Sequence, residues 1–267
     1  LNITGRDIEN WEAFRIPAEI SEKCARVERA YLAMGCIPTW TCAPYHCGPL
    51  VPRCGEQIAW AESNAICYAN SVLGARTNRY GDLVDICAAI VGRVPETGLH
   101  LVENRRGQVL IRLHPDALEA WTDDSVSAVV GYLVGEIAGE RVPVLEGAPP
   151  LGQDDLKAMC AAAASSGAVG LLHIVGETPE AATREMAFGG RSPVEVVDIG
   201  RAELDGCRGR LGGGAAEDVD LVVVGCPHAS YMELARIARE LRGRRVAGET
   251  EMWVQTSSLV RDLAFRS

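Results

Sequence analysis

The chain has 267 residues, 48% hydrophobic and 23% charged, a balance that suits a globular protein of one large domain or two smaller ones. A formal charge of −10 argues against nucleic acid as a partner, because phosphate binding calls for a basic surface. No apolar run reaches the roughly 18 residues that a membrane span needs, and no secretory leader is seen, so the expectation is a cytoplasmic protein without a membrane partner.

Ten cysteines would suit a disulfide framework in a small secreted chain, but at this length reduced thiols are expected. The first helix is predicted over 18–34, where Ile20, Cys24, Val27, Tyr31 and Met34 recur at helical spacing, with Gly35 as its C-terminal cap. The rest of the chain is organised around residues 35–79. Cys36, Cys42, Cys47 and Cys54 fall among Pro38, Pro44, Pro49 and Pro52; proline fixes φ and lacks a donor, so irregular loop is expected, with a short strand over 37–41 that delivers Cys42. Next come Glu62, Ser63, Asn64, Asn70, Ser71, Arg76, Thr77, Asn78 and Arg79, alternating with apolar residues beside Trp60 and Tyr68. That pattern turns polar groups into a structured site. A helix is predicted over 56–70 and another over 82–91, capped by Asp82.

Further along, 108–113 reads as a strand and 125–138 as a buried helix. Pro149 and Pro150, after the strand-like 142–145, mark the expected boundary between a cysteine-loop and substrate-site region (1–148) and an alternating region (149–267). The second region reads as helix 154–165, apolar strand 168–175, a helix start at Thr178-Pro179, strand 194–199, a helical turn over 202–206 and apolar strand 219–224. Helix 230–241, with Ser230 and Glu233 in capping-box spacing, and strand 252–256 complete it. Alternation of this kind predicts an α/β fold with parallel strands and helices on both faces. Gly212-Gly213-Gly214 alone is a feeble phosphate signal.

Strand 219–224 is apolar throughout, so a central place in a sheet is expected; ligand sites lie beyond the carboxyl ends of such strands. Cys226 falls there, just before a helix N-terminus whose partial positive charge favours a thiolate. An ordinary buried cysteine in a strand-to-helix turn fits the same pattern. Cys42 and Cys47 enclose four residues, at the edge of zinc spacing, but no second close pair completes a four-ligand site. Cys24, Cys67, Cys87 and Cys160 read as small buried hydrophobes. Residues 60–64 on a helix would offer donors to a carboxylate, and Arg76 the planar fork that suits one; capping of helix ends is the plainer use of these groups. Glu62 is a candidate acid, base or partner of Arg76. His228 shares a turn with Cys226, His46 lies in the cysteine loop, and His114 and His173 read as structural. From the residues alone, a hydrolase with Cys226 as nucleophile beside His228 and a non-catalytic metal-binding module both remain open.

The segments TCAPY (41–45), AWAESNA (59–65), NSVLGARTNRYGD (70–82), GRVPETGLHLVENR (92–105) and VVVGCPHAS (222–230) together resemble the aconitase X family in matching order. The resemblance implies a three-layer α/β/α fold with mostly parallel sheets and an aconitase-like core, here incomplete at both ends, since family members begin earlier and continue further. It implies an iron-dependent hydro-lyase that dehydrates cis-3-hydroxy-L-proline to pyrroline-2-carboxylate. Dehydration of mevalonate 5-phosphate is the alternative, and the lack of a P-loop-like cradle weighs against it. Cys42 and Cys226 are the implied ligands of iron or an iron–sulfur cluster, with a third cysteine outside this chain; Cys47 and Cys54 are not part of the pattern. Glu62, Ser63 and His228 are the implied catalytic residues, and Tyr45, Asn64, Asn70, Ser71, Arg76, Thr77 and His100 the implied substrate-binding ones. A small hydroxy-acid or amino-acid substrate is implied, as is a small swivelling domain or subunit that closes the site.

Overall fold

The computed structural model describes residues 6–47, 51–121, 125–212 and 219–266. The first group of elements is helical: α1 (Ala18–Ala33), α2 (Pro44–Cys47), α3 (Ser63–Ser71) and α4 (Val84–Val91), then two short 3-10 turns at Gly98–His100 and Val102–Arg105. A second group alternates: β1 (Val109–Leu113), α5 (Pro115–Glu119), α6 (Ser125–Ala138), β2 (Pro143–Glu146), α7 (Gln153–Gly167), β3 (His173–Ile174), α8 (Arg184–Phe188), β4 (Glu195–Ile199) and α9 (Arg201–Leu211). The third comprises β5 (Leu221–Val224), α10 (Tyr231–Leu241), β6 (Glu251–Val254) and α11 (Ser258–Arg266).

Four strands pair in parallel in the order β3-β2-β1-β4. Successive side chains of β1 point to opposite faces. Val109, Ile111 and Leu113 enter the main core with α3, α6 and α7, whereas Leu110 meets Val144, Ala181, Ala187 and Phe188 on the other side. The result is the three-layer α/β/α arrangement expected, with a central parallel strand buried on both faces. Helices α6 and α7 meet at their backbones: a Cβ at Gly131 would lie 2.3 Å from the Met159 carbonyl oxygen, and one at Gly135 2.0 Å from Ser166 Oγ. That contact fixes α7, which carries Lys157 towards the site. The expected boundary at 148/149 falls between β2 and α7, and strands from both sides of it pair in the same sheet.

Several local expectations are corrected. Residues 37–41 form no strand, and α2 makes one helical turn inside the proline-rich loop. The helix expected over 56–70 begins only at Ser63, because Ile58 N donates to the Arg76 carbonyl and Arg76 N to that of Glu56, a parallel bridge that keeps this stretch extended. Thr178-Pro179 forms a turn in which Thr178 Oγ1 accepts from Ile174 N, and α8 starts later, capped by Thr183. Of the strand expected over 168–175, only His173–Ile174 pairs. On α1 the buried positions are Ser21, Glu28 and Tyr31, and Ile20, Val27 and Met34 lie exposed, because Arg6 binds Glu28 and Ser21. Cys67 and Cys160 are buried as expected, but Cys87 is exposed and Cys24 half-buried. The largest correction concerns β5. It pairs with β6 and lies outside the four-stranded sheet, with Leu221, Val222 and Val223 39%, 39% and 45% exposed. The side chain of Cys47 and residues Pro49, Gly213 and Gly214 lie outside the described residues.

Candidate active site

Strand β5 runs into Gly225-Cys226-Pro227-His228. Gly225 has φ +98°, and a Cβ there would sit 2.1 Å from the Gln255 carbonyl oxygen, so only glycine lets this turn fold against the end of β6. Gln255 N donates to the Val224 carbonyl and Ala229 N to that of Gln255, both at 2.9 Å. The fixed turn presents Cys226 at the surface. Two residues on, His228 N donates to Cys42 Sγ at 3.2 Å, and His228 Nδ1 lies 3.2 Å from Thr41 Oγ1. The two turns that carry the expected metal ligands therefore touch, although 184 positions (226 − 42) separate them in sequence. Burial pushes the Cys42 thiol up, the His228 N–H opposes that shift, and the charges of Glu62 and Cys226 add to it.

Lys157, almost fully buried, sits behind the turn and donates to the His228 carbonyl at 3.2 Å and to the Glu233 carboxylate. Glu233 also accepts from Ser230 N, in the capping box of α10, and Ser230 Oγ donates to Asp154 Oδ2 at 3.0 Å. Burial first, and then the Lys157 charge, lowers the pKa of both His228 and His46.

A cleft of about 450 Å³ opens beside this turn, with Glu62, Ser63, Asn64, Lys157, Cys226 and Glu233 among its walls. Its polar edge is oriented by a relay. Tyr45 stacks on Tyr68 with ring centroids 3.9 Å apart, and burial pushes its phenol far up, so its hydroxyl stays a donor. It donates to Asn64 Oδ1 at 2.7 Å, and Asn64 Nδ2 donates at 3.1 Å to both the Cys42 carbonyl and Glu62 Oε1. Ser63 Oγ reaches the same Glu62 oxygen at 3.4 Å.

The remaining expected substrate ligands lie elsewhere, in a buried scaffold around Arg105. Asn70 gives its amide hydrogens to the carbonyls of Thr77 and Gly170, and its oxygen accepts from Thr77 N and Arg105 Nη1. Ser71 Oγ accepts from Leu172 N, and Thr77 Oγ1 from Trp60 N. His100 is held at 2.6 Å by both Tyr80 OH and Gln57 Oε1. Arg76 donates to the His100 carbonyl rather than to Glu62, and its Nε is buried without a partner.

Models described as the aconitase X first, second and third domains match residues 1–103, 107–209 and 219–267. The chain belongs to the aconitase X family. It is 46% identical over 249 residues to the cis-3-hydroxy-L-proline dehydratase of Hypocrea jecorina, covering 91% of this chain and 41% of that one. With the dehydratase of the same name from Pseudomonas aeruginosa it shares 40% identity over 262 residues, covering 97% and 44%. With the phosphomevalonate dehydratase large subunit of Methanosarcina mazei it shares 38% over 266 residues, covering 100% and 62%. The crystal structure of Thermococcus kodakaraensis aconitase X in its holo-form superimposes with a TM-score of 0.83 at 35% identity, covering 94% of this chain and 62% of that one. The chain thus spans less than two thirds of these aconitase X relatives.

Among the described residues, no group of three or more His, Cys, Asp or Glu side chains comes together to hold a metal ion. Cys42 and Cys226 bring two sulfur donors onto turns that touch, joined by the His228 N–H to Cys42 Sγ. Sequence reasoning missed Lys157 and Asp154, which hold the GCPH turn together with the capping-box residue Glu233, and Arg105, the hub of the scaffold. A faint signal existed for one of them: Lys157 is one of only two lysines among 26 basic residues, the other being Lys23. Within the described residues no helix is long and apolar enough to cross a membrane.

Proposed function

We propose that the chain is part of an iron-dependent hydro-lyase that dehydrates cis-3-hydroxy-L-proline to pyrroline-2-carboxylate. The observation that carries this reading is the contact of the Cys42 turn with the Cys226 turn, which lines a cleft beside Glu62, in a chain whose relatives include dehydratases of that name. Iron or an iron–sulfur cluster, held by Cys42, Cys226 and a third cysteine outside this chain, would supply a Lewis acid for the leaving hydroxyl. A base takes the proton from the carbon next to the carboxylate, and the enamine that remains tautomerises to the cyclic imine.

The chain's own groups divide that work. The His228 N–H supports the sulfur of Cys42, and Lys157 holds His228 in place. Glu62 and Ser63 line the cleft, whereas the His228 ring turns to Thr41. A small swivelling domain or subunit would close over the exposed Cys226. A reducing cytoplasmic compartment suits thiols that must stay unpaired to hold metal. Phosphomevalonate dehydration is the second reading, supported by relatives such as the archaeal large subunit of Methanosarcina mazei. A hydrolase built on Cys226 and His228 has less support, since no hydrogen bond joins their side chains among the described residues.

Iron and acid-labile sulfide assays on full-length protein purified without oxygen, together with turnover of cis-3-hydroxy-L-proline, test the reading. Bound iron and imine product are expected; a metal-free protein, or one that turns over only the phosphorylated hydroxy acid, overturns it.

A further inference from the structure

Glu62 stands apart from the other charged groups around the cleft. Lys157 and Glu233 neutralise each other in a tight ion pair, and Arg236, which also lines the cleft, has a partner of its own. The Glu62 carboxylate accepts only from two neutral donors, the Asn64 amide and the Ser63 hydroxyl, both on Oε1, and it forms no ion pair among the described residues. Its orientation is fixed, because the Tyr45 hydroxyl and the Cys42 carbonyl hold the Asn64 amide from both ends. A half-buried carboxylate with one oxygen uncommitted, on the wall of a cleft of about 450 Å³, is a ready counter-ion for a cation inside that cleft. A phosphate dianion beside it would meet like charge.

We propose that Glu62 binds the ring ammonium of the substrate and thereby selects a cyclic amino acid over a phosphorylated hydroxy acid. The inference rests on the hydroxyproline reading and adds to it the group that recognises the nitrogen. The Tyr45–Asn64 relay is the positioning device, holding the second carboxylate oxygen towards the substrate without touching substrate itself. Proton removal from the ring carbon then falls to another group, and loss of Glu62 shows in substrate affinity more than in turnover.

Calorimetry on the full-length, iron-loaded protein tests this with two ligands. L-proline carries the ammonium; pyrrole-2-carboxylate has the same ring size and carboxylate but no cationic nitrogen. Glu62→Gln keeps the shape and removes the charge. The expected result is at least tenfold weaker L-proline binding, about 1.4 kcal/mol, with pyrrole-2-carboxylate changed less than twofold, which also shows that the variant is folded. For cis-3-hydroxy-L-proline, KM should rise at least tenfold while kcat stays within threefold. Equal losses for both ligands, no loss for either, or a collapse of kcat at unchanged KM would each overturn the proposal. If the wild-type protein bound neither ring compound but bound mevalonate 5-phosphate, the hydroxyproline reading itself would fail, a result distinct from failure of Glu62 alone.

Discussion

Two halves of one polar segment, 62–64 and 70–77, look alike in sequence and behave differently in the structure. Glu62, Ser63 and Asn64 line the cleft, and Glu62 retains unused acceptor capacity. Asn70, Ser71 and Thr77 are buried and spend their hydrogen bonds on backbone and on Arg105. The difference arises from α3. Its N-terminus opens onto the cleft, while its C-terminus packs against α7 and the loop that leads to β3. A buried polar group must be paired to be tolerated, so the inner half is saturated by the fold itself. Polar residue type alone does not distinguish a site from a scaffold; unspent hydrogen-bonding capacity does.

The largest expected effect lies in the scaffold. The Arg105 guanidinium donates to Asn70, to the Leu99 carbonyl and to Glu180. Arg105→Met would leave Glu180 without its cationic partner and take one of two donors from Asn70 Oδ1, and breaking a buried pair in this way costs about 3–5 kcal/mol. Thermal denaturation should show a Tm lower by ~2–4 °C for each of those kcal/mol. An unchanged Tm would mean that this network does not hold the two halves of the core together. Cys226→Ser belongs to the opposite class. The side chain is exposed and packs into no core, so the full-length variant should melt within about 2 °C of wild type yet lose most of its iron and its dehydratase activity. Normal iron content and turnover would end the ligand assignment.

How far these two classes could be read in advance depended on whether a signal was local. The capping box at Ser230 and Glu233, the helix at Ser125–Ala138 and the parallel alternation came from neighbouring residues and were found where expected. The place of β5 was not legible. An apolar tetrapeptide implies burial only if something covers it, and Leu221–Val224 pairs solely with β6 among the described residues. Similarly, the stripe on α1 pointed to the wrong face because Arg6, distant in sequence, buries Glu28. Cys226 was singled out by its place between strand 219–224 and a helix and Cys42 by the family pattern, but the bond that joins their turns comes from the His228 backbone N–H, a group every non-proline residue carries. Lys157, Asp154 and Glu233 act across 71 to 76 positions, a range that no spacing rule reaches.

A weaker effect should separate the halves by pH. Burial lowers the pKa of His100 and His173, with nearby arginine charge adding to the shift. Their folded-state values therefore lie below the unfolded value of about 6.5, and the unfolded chain binds more protons as pH falls through that region. Stability rises with pH wherever the unfolded state binds more protons, so it should be fully present above about 6.5 and decline below that value. Urea midpoints at pH 5.5 and 7.5 would measure it. His100→Asn should flatten the slope, and an equal slope in the variant would show that His100 contributes none of it.

The smallest expected effect gives the finest test of the contrast, because two substitutions that both cost stability should differ in function. Tyr45→Phe removes the hydroxyl that donates to Asn64 Oδ1, and Thr77→Val removes the hydroxyl that accepts from Trp60 N. Tyr45→Phe leaves Asn64 Oδ1 unpaired, and Thr77→Val leaves Trp60 N unpaired and removes a donor from the Asn78 carbonyl; each unpaired group costs about 1–3 kcal/mol, so the melting temperature should fall for both variants and by no less for Thr77→Val. Only Tyr45→Phe frees the Asn64 amide that orients Glu62, so only it should raise KM for the amino-acid substrate, by roughly threefold for a loss of about 0.7 kcal/mol. Steady-state kinetics on both full-length variants decides the matter. Equal KM values would mean that the relay stabilises the fold without orienting the carboxylate, and Tyr45 and Asn64 would then join the scaffold half of the segment.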